Sequence, residues 1–219
     1  MIILHILHSV ILVLILTQSV NSLFVQISRH SIREIPSMMG GGPIKGDLIP
    51  KLIDLASSSK FGSIKSNNNE IIEIMNNIAE KNVSDKNLIK KVNGNWKLLW
   101  TTEKETLFFV EKGLFGKKVT NIRQVIDYNN NNSKNFVNNV IEFEGNSEFS
   151  VLGDIEYLLE NTKRVNFKFK GAKLVIPPLI NINIPPIGQG WFENIYVNDK
   201  YRLSKDIRGD YLISTRIVN

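Results

Sequence analysis

The chain predicts a mainly β fold: one antiparallel, up-and-down β-barrel from about residue 92 to the C-terminus, with two short helices ahead of it and packed against it. Three observations predict it. Apolar residues recur with period two from Trp96 onward, turn-forming residues interrupt that pattern at short intervals, and two segments before Trp96 carry apolar residues at helical spacing instead.

The helices come first. Between Asp47 and Ser57, Leu48, Ile49, Leu52, Ile53, Leu55 and Ala56 recur at helical spacing, with Pro50 in the first turn, where it is tolerated. Between Glu70 and Glu80, Ile71, Ile74, Met75 and Ile78 make one apolar face, and the Asn67 to Asn69 stretch supplies N-cap candidates. A stripe of this kind is core rather than a ligand groove. The strands follow. Trp96, Leu98 and Trp100 alternate with Asn95, Lys97 and Leu99; Phe149, Val151, Gly153, Ile155 and Tyr157 alternate with Glu148, Ser150, Asp154 and Glu156; Val165, Phe167 and Phe169 alternate with Asn166, Lys168 and Lys170; Tyr211, Ile213 and Thr215 close the series. Alternation means one wet and one dry face. Turns are expected at Gly113, Gly116, Asn129 to Asn132, Glu144 to Asn146, Gly171, Asn198-Asp199 and Arg208 to Asp210. About eight strands closed into a barrel leave room for one small ligand. The inward set is large and apolar, so a cavity would suit acyl chains, quinones or carotenoids; a fully packed barrel is the alternative.

The start of the chain reads as an address. Ile2 to Leu16 is nearly unbroken apolar sequence, short for a spanning helix and right for a signal peptide, with small or modest side chains at Val20-Asn21-Ser22 for cleavage. Leu23 to Gly42 is basic, Ser-containing and poor in acids, and runs into Gly40-Gly41-Gly42-Pro43. This reads as a transit-peptide-like segment. The expected organisation is a signal peptide (1–22), the transit-like segment and linker (23–46), a helical lead-in (47–91) and the barrel (92–219). Asn82-Val83-Ser84 and Asn131-Asn132-Ser133 fit the glycosylation triplet, which arises easily in an Asn-rich chain.

Composition excludes much chemistry. The chain has no cysteine, so disulfides, thiol nucleophiles and Cys-type metal sites are out. Its three histidines, His5, His8 and His30, all lie in the leader, so the barrel has no imidazole for general base work or for metal. Carboxylates share a face as Glu142 with Glu144 and Asp154 with Glu156, but the second pair points outward. Gly188-Gln189-Gly190 lacks a third glycine and a following helix, which rejects a dinucleotide fingerprint. No catalytic residue, metal or cofactor is expected. The net charge of +6 is mild, and no dense basic block points to nucleic acid. Lys163, Arg164, Lys168, Lys170 and Lys173 would meet an anionic lipid surface or form a solvated outer face.

From Asn93 to Thr102 the sequence NGNWKLLWTT resembles the opening of the plastid lipid-associated protein family, the plant fibrillins. Further pieces follow in family order: Ile122 to Asp127, Phe136 to Phe143, Lys163 to Phe169, Gly190-Trp191-Phe192-Glu193, Tyr201 to Asp206 and Gly209 to Ile213. The resemblance covers roughly residues 47 to 217. It implies a lipocalin-like barrel, plastid residence at thylakoids or plastid lipid droplets (plastoglobules), and no catalysis. The two-part leader resembles those of algae whose plastids lie within the secretory route. Departures are the Trp191-Phe192-Glu193-Asn194-Ile195 segment, Lys205 in place of a second arginine, and the Asn tracts.

Three sets of residues are candidates. Trp96, Leu98, Trp100, Phe149, Val151, Tyr157, Phe167, Phe169 and Tyr211 would line the barrel interior. Gly94 and Trp96 resemble the lipocalin closure, in which a late arginine stacks on the tryptophan; Arg202 and Arg216 are the candidates, Arg202 matching the family motif, and Trp96 as a plain core residue is the alternative. Ile176-Pro177-Pro178 and Ile184-Pro185-Pro186 bound a greasy loop that would act as a lid, contact a membrane, or wrap against the wall. The expected function is a non-catalytic protein that binds or coats hydrophobic lipid, peripheral to membranes after leader removal. The alternative is a filled scaffold docking on a plastid enzyme or photosynthetic complex.

Overall fold

The computed structural model describes residues 45–81, 88–128, 135–158, 161–185 and 188–218. The expected signal peptide, nearly all of the transit-like segment, both glycosylation triplets, the Asn129 to Asn132 tract and Pro186 lie outside the described residues.

Two amphipathic helices, α1 (Lys45–Ser57) and α2 (Asn68–Lys81), precede a short α3 (Leu88–Val92). Then come β1 (Gly94–Thr101), α4 (Lys104–Lys112), β2 (Val119–Asp127), β3 (Phe136–Phe143), β4 (Ser147–Leu158) and β5 (Asn161–Ile176). The chain continues through β6 (Ile180–Ile184), β7 (Gln189–Val197), β8 (Tyr201–Asp206) and β9 (Tyr211–Arg216). The strands pair in the order β4-β3-β2-β1-β9-β8-β7-β5-β6, and β4 also pairs with β5, which closes eight of them into an antiparallel barrel. Closure removes the open sheet edge of those eight strands.

β6 stands outside the ring. Its partner β5 pairs with β7 through Arg164 to Lys168 and with β6 through Ala172 to Ile176. Gly171 sits where the neighbour changes, so the turn expected there is instead a register shift inside a long strand. A Cβ at Gly171 would lie 3.2 Å from the Ile184 carbonyl oxygen, tighter than ordinary contact. The greasy segment between proline pairs is likewise a hairpin rather than a loop: β6 pairs residue by residue with β5 and keeps its prolines at its ends. That is where an edge strand tolerates them.

Two hydrophobic cores result. In the first, α1 and α2 lay Leu52, Ala56, Ile71, Met75 and Ile78 on the outer face of the barrel, against Trp100, Ile195, Leu203, Tyr211 and Ile213. The second fills one end of the barrel with Trp96, Ile126, Val137, Ile155, Tyr157, Val165, Phe192 and Val197, and α3 stops that end with Leu88 and Val92.

Two interior candidates therefore belong outside. Trp100 and Tyr211 lie under the helices. The pairing of β1 with β9 shifts register between Leu98 and Trp100, and this turns Trp100 outward. Its indole Nε1–H donates to Asn68 Oδ1 at 3.1 Å, so that asparagine pins the helix to the sheet. Tyr211 shares its face with Leu203 and Ile213, and its hydroxyl donates to Asn76 Oδ1 at 2.7 Å.

Candidate functional site

The inner wall follows from the pairing. Trp96, Gln124, Asn139 and Val151 form one row across β1 to β4. Ile122, Ile141, Phe149 and Leu174 form another, across β2 to β5, and Ile182 of β6 continues it beyond the ring. Of the interior candidates, Trp96 and Tyr157 stand in the closed-end core, with Phe167 packed against it. Leu98 pairs with inward Ser214, and Phe169 lies in the row of Ile126, Val137 and Gly153. Two glycines make room for rings: a Cβ at Gly190 would sit 2.9 Å from Phe167, and one at Gly153 3.2 Å from Phe169. Phe167 in turn lies 4.8 Å from Phe169 and 6.4 Å from Phe192, centroid to centroid. Ile141, Phe149, Val151, Phe167 and Phe169 face inward yet stay part-exposed, whereas Trp96 is 0% exposed.

The closed end is a clasp. Trp96 donates its indole N–H to the Val92 carbonyl at 2.7 Å. The Arg216 guanidinium stands 4.1 Å from the Trp96 ring and donates to the carbonyls of Asn93 (2.6 Å), Lys91 (2.5 Å) and Asp199 (2.8 Å). Gly94 has φ +139°, and a Cβ there would lie 2.2 Å from Arg216 Nη1. The glycine is required by both its backbone and its neighbour. Asn93 adds a two-way bond with the Tyr128 backbone. Arg202, the arginine singled out from the sequence, also stands over Trp96, but at 5.8 Å and deeper in the lumen. Arg216 makes the closure because it is the residue paired with Trp96 and can reach the lead-in, whereas Arg202 sits one strand further round, opposite Ser214.

Arg202 is 2% exposed. Its Nη2 donates to Gln124 Oε1 at 2.5 Å, and Gln124 Nε2 donates to Asn139 Oδ1 at 2.6 Å, a polar chain that crosses the lumen from β8 to β3. Burial lowers its pKa to about 10, which leaves it charged at neutral pH.

At the other end α4 lies over the mouth. Phe109 packs 5.8 Å from Phe143 and 5.7 Å from Phe149. Arg208, on the β8–β9 turn, ties α4 down: Nη1 lies 2.8 Å from Glu105, Nη2 3.7 Å from Glu103, and Nε 3.0 Å from Asp206. Burial pushes the Glu103 carboxyl up to about 7, against the opposing pull of Arg208. Sequence reasoning missed α4. Its Leu107-Phe108-Phe109-Val110 core reads as a strand as readily as a helix.

Around this mouth stand exposed apolar side chains: Phe108, Phe115, Ile207, Ile182 at 41% and Leu179 at 89% on the hairpin tip. Within the hairpin Ile176 and Ile184 are buried, while Pro177, Pro178 and Pro185 are exposed. Three of the four paired carboxylates hold ordinary structural partners. Glu142 accepts from Arg123 Nε at 2.7 Å, which lowers its pKa, and Glu144 accepts from the Lys118 backbone N–H at 3.0 Å. Lys170 pairs with Asp154 on the exposed outer face.

The PAP_fibrillin family model matches residues 46–215. A curated relative, the "Probable plastid-lipid-associated protein 11, chloroplastic" of Arabidopsis thaliana, is 41% identical over 171 residues, covering 76% of this chain and 77% of its own length. No solved structure matches significantly.

Proposed function

The chain belongs to the PAP_fibrillin family, and from that premise we propose that it is a non-catalytic, plastid-resident protein whose barrel takes up a hydrophobic lipid and whose mouth rests on a lipid surface. The observation that carries this reading is the set of inward apolar side chains, Phe149, Val151 and Phe169 among them, that stay part-exposed beside a rim of exposed Phe108, Phe115, Leu179 and Ile182. A wall of this kind suits an acyl chain, a quinone or a carotenoid. The relative's chloroplastic name supports the plastid, and the expected two-part leader over residues 1–46 would supply the route. Among the described residues no helix is long and apolar enough to cross a membrane.

In this reading the hairpin bounded by Ile176-Pro177-Pro178 and Ile184-Pro185 touches the surface of a thylakoid or plastid lipid droplet. Phe149, Val151, Phe167 and Phe169 hold the cargo above Leu98, Tyr157 and the packed closed end, and Gly94, Trp96 and Arg216 shut that end. The test is native purification followed by lipid extraction and mass spectrometry. A near-stoichiometric lipid is expected. A protein that stays empty after incubation with plastid lipid extract would overturn the carrier reading in favour of a filled scaffold that docks on a plastid enzyme or photosynthetic complex.

A further inference from the structure

The lumen contains a cation with no contact ion pair, its only acidic neighbours among the described residues being Tyr157 and, at longer range, Glu103. Arg202 is 2% exposed. Among the described residues its guanidinium has no carboxylate within ion-pair distance. Its hydrogen bonds run only from Nη2, to the neutral Gln124 at 2.5 Å and to Ser204 at 3.5 Å, and buried Nε and Nη1 have no partner. Buried charges are costly and are normally paired. The nearby clasp shows the contrast: Arg216 spends all three of its nitrogens on backbone carbonyls.

A second orphan faces the same space. Tyr157 Oη is buried without a partner, and its side chain lies in the closed-end core with Trp96 and Phe192. Arg202 stands 5.2 Å from the Phe192 ring and 5.8 Å from Trp96. Two unused donor sites of a fixed positive charge and one unused phenol, close enough to interact electrostatically, therefore lie at the base of the lumen. A neutral carbonyl could accept a hydrogen bond there but would leave the charge without a contact ion pair. A carboxylate does both. A doubly charged phosphate is a poorer fit, since the other arginine at this end, Arg216, is already committed.

We propose that Arg202, with Tyr157, is the anchor for the carboxylate of a long-chain acid whose hydrocarbon tail runs along Phe167 and Phe169 toward the mouth. The proposal rests on the carrier reading and narrows it to acidic single-chain lipids rather than quinones or carotenoids.

The test titrates the full chain calorimetrically with oleic acid and with oleyl alcohol, which share a tail and differ in charge. The acid is expected to bind at least about 100-fold more tightly, as a site with committed polar groups discriminates. Arg202→Met should erase that difference while still binding the alcohol, and Tyr157→Phe should weaken the acid alone by about 10-fold. If Arg202→Met fails to fold, the wild-type comparison and Tyr157→Phe decide. Equal affinity for acid and alcohol, or no binding of either, overturns the anchor. Mass spectrometry of the natively purified protein then separates the two readings. A bound neutral quinone or carotenoid leaves the carrier reading standing and the anchor refuted, and no lipid at all refutes both.

Discussion

Glu103 sets a pH dependence that can be worked out in advance. Its carboxyl is pushed up to about 7 in the fold from an ordinary value of 4.5, chiefly by desolvation at the foot of α4, where it is part-buried. Between those values the folded chain holds a proton that the unfolded chain has released, so stability falls as pH rises and levels off above about 7. At about 1.4 kcal/mol per pH unit, the difference between 7 and 4.5 comes to about 3 kcal/mol in total. About 2 kcal/mol of it falls between pH 5.5 and pH 8. The perturbation is Glu103→Gln, which resembles the protonated acid and cannot titrate. The assay is urea unfolding of wild type and variant at both pH values. Wild type should lose about 2 kcal/mol more than the variant on going from pH 5.5 to pH 8. Equal losses would refute the assignment of a raised carboxyl to Glu103.

Gly94→Ala should lower stability by about 3 kcal/mol, seen as a fall in Tm, because a Cβ would collide with Arg216 at 2.2 Å. Gly116→Ala is the control: it also has a positive φ but open space around it, and should cost about 1 kcal/mol. Phe109→Ala should cost about 3 kcal/mol through lost contact with Phe143 and Phe149, and stopped-flow release of a bound fluorescent fatty acid should quicken.

The sequence made the barrel legible wherever the two faces of a strand differ. Along β4 and β5, charged and polar residues mark the outside, so the inward positions of Tyr157, Phe167 and Phe169 follow from alternation alone. On β1 and β9 the same rule misassigned Trp100 and Tyr211. Their outer face is covered by α1 and α2 and is as apolar as the lumen, so periodicity separates two dry faces without saying which is inside. The irregularity at Leu99 that turns Trp100 outward leaves no mark in a single sequence. The hairpin β6 was hidden by its flanking prolines, and α4 by a Leu107 to Val110 core that reads as a strand as readily as a helix. Arg202 and Arg216 lie on neighbouring strands, and only the register shows that Arg216 meets Trp96 while Arg202 faces Gln124.

The pairing of β1 with β9 has a consequence for how the molecule is made. Trp96 meets Arg216, about 120 residues later in the chain, so the ring is sealed by one of its most distant contacts. On a ribosome, β1 waits with one edge bare until β9 has emerged. A chain halted short of Arg216 has neither its last rung nor the bonds to Lys91 and Asn93, and it offers chaperones and proteases an open sheet.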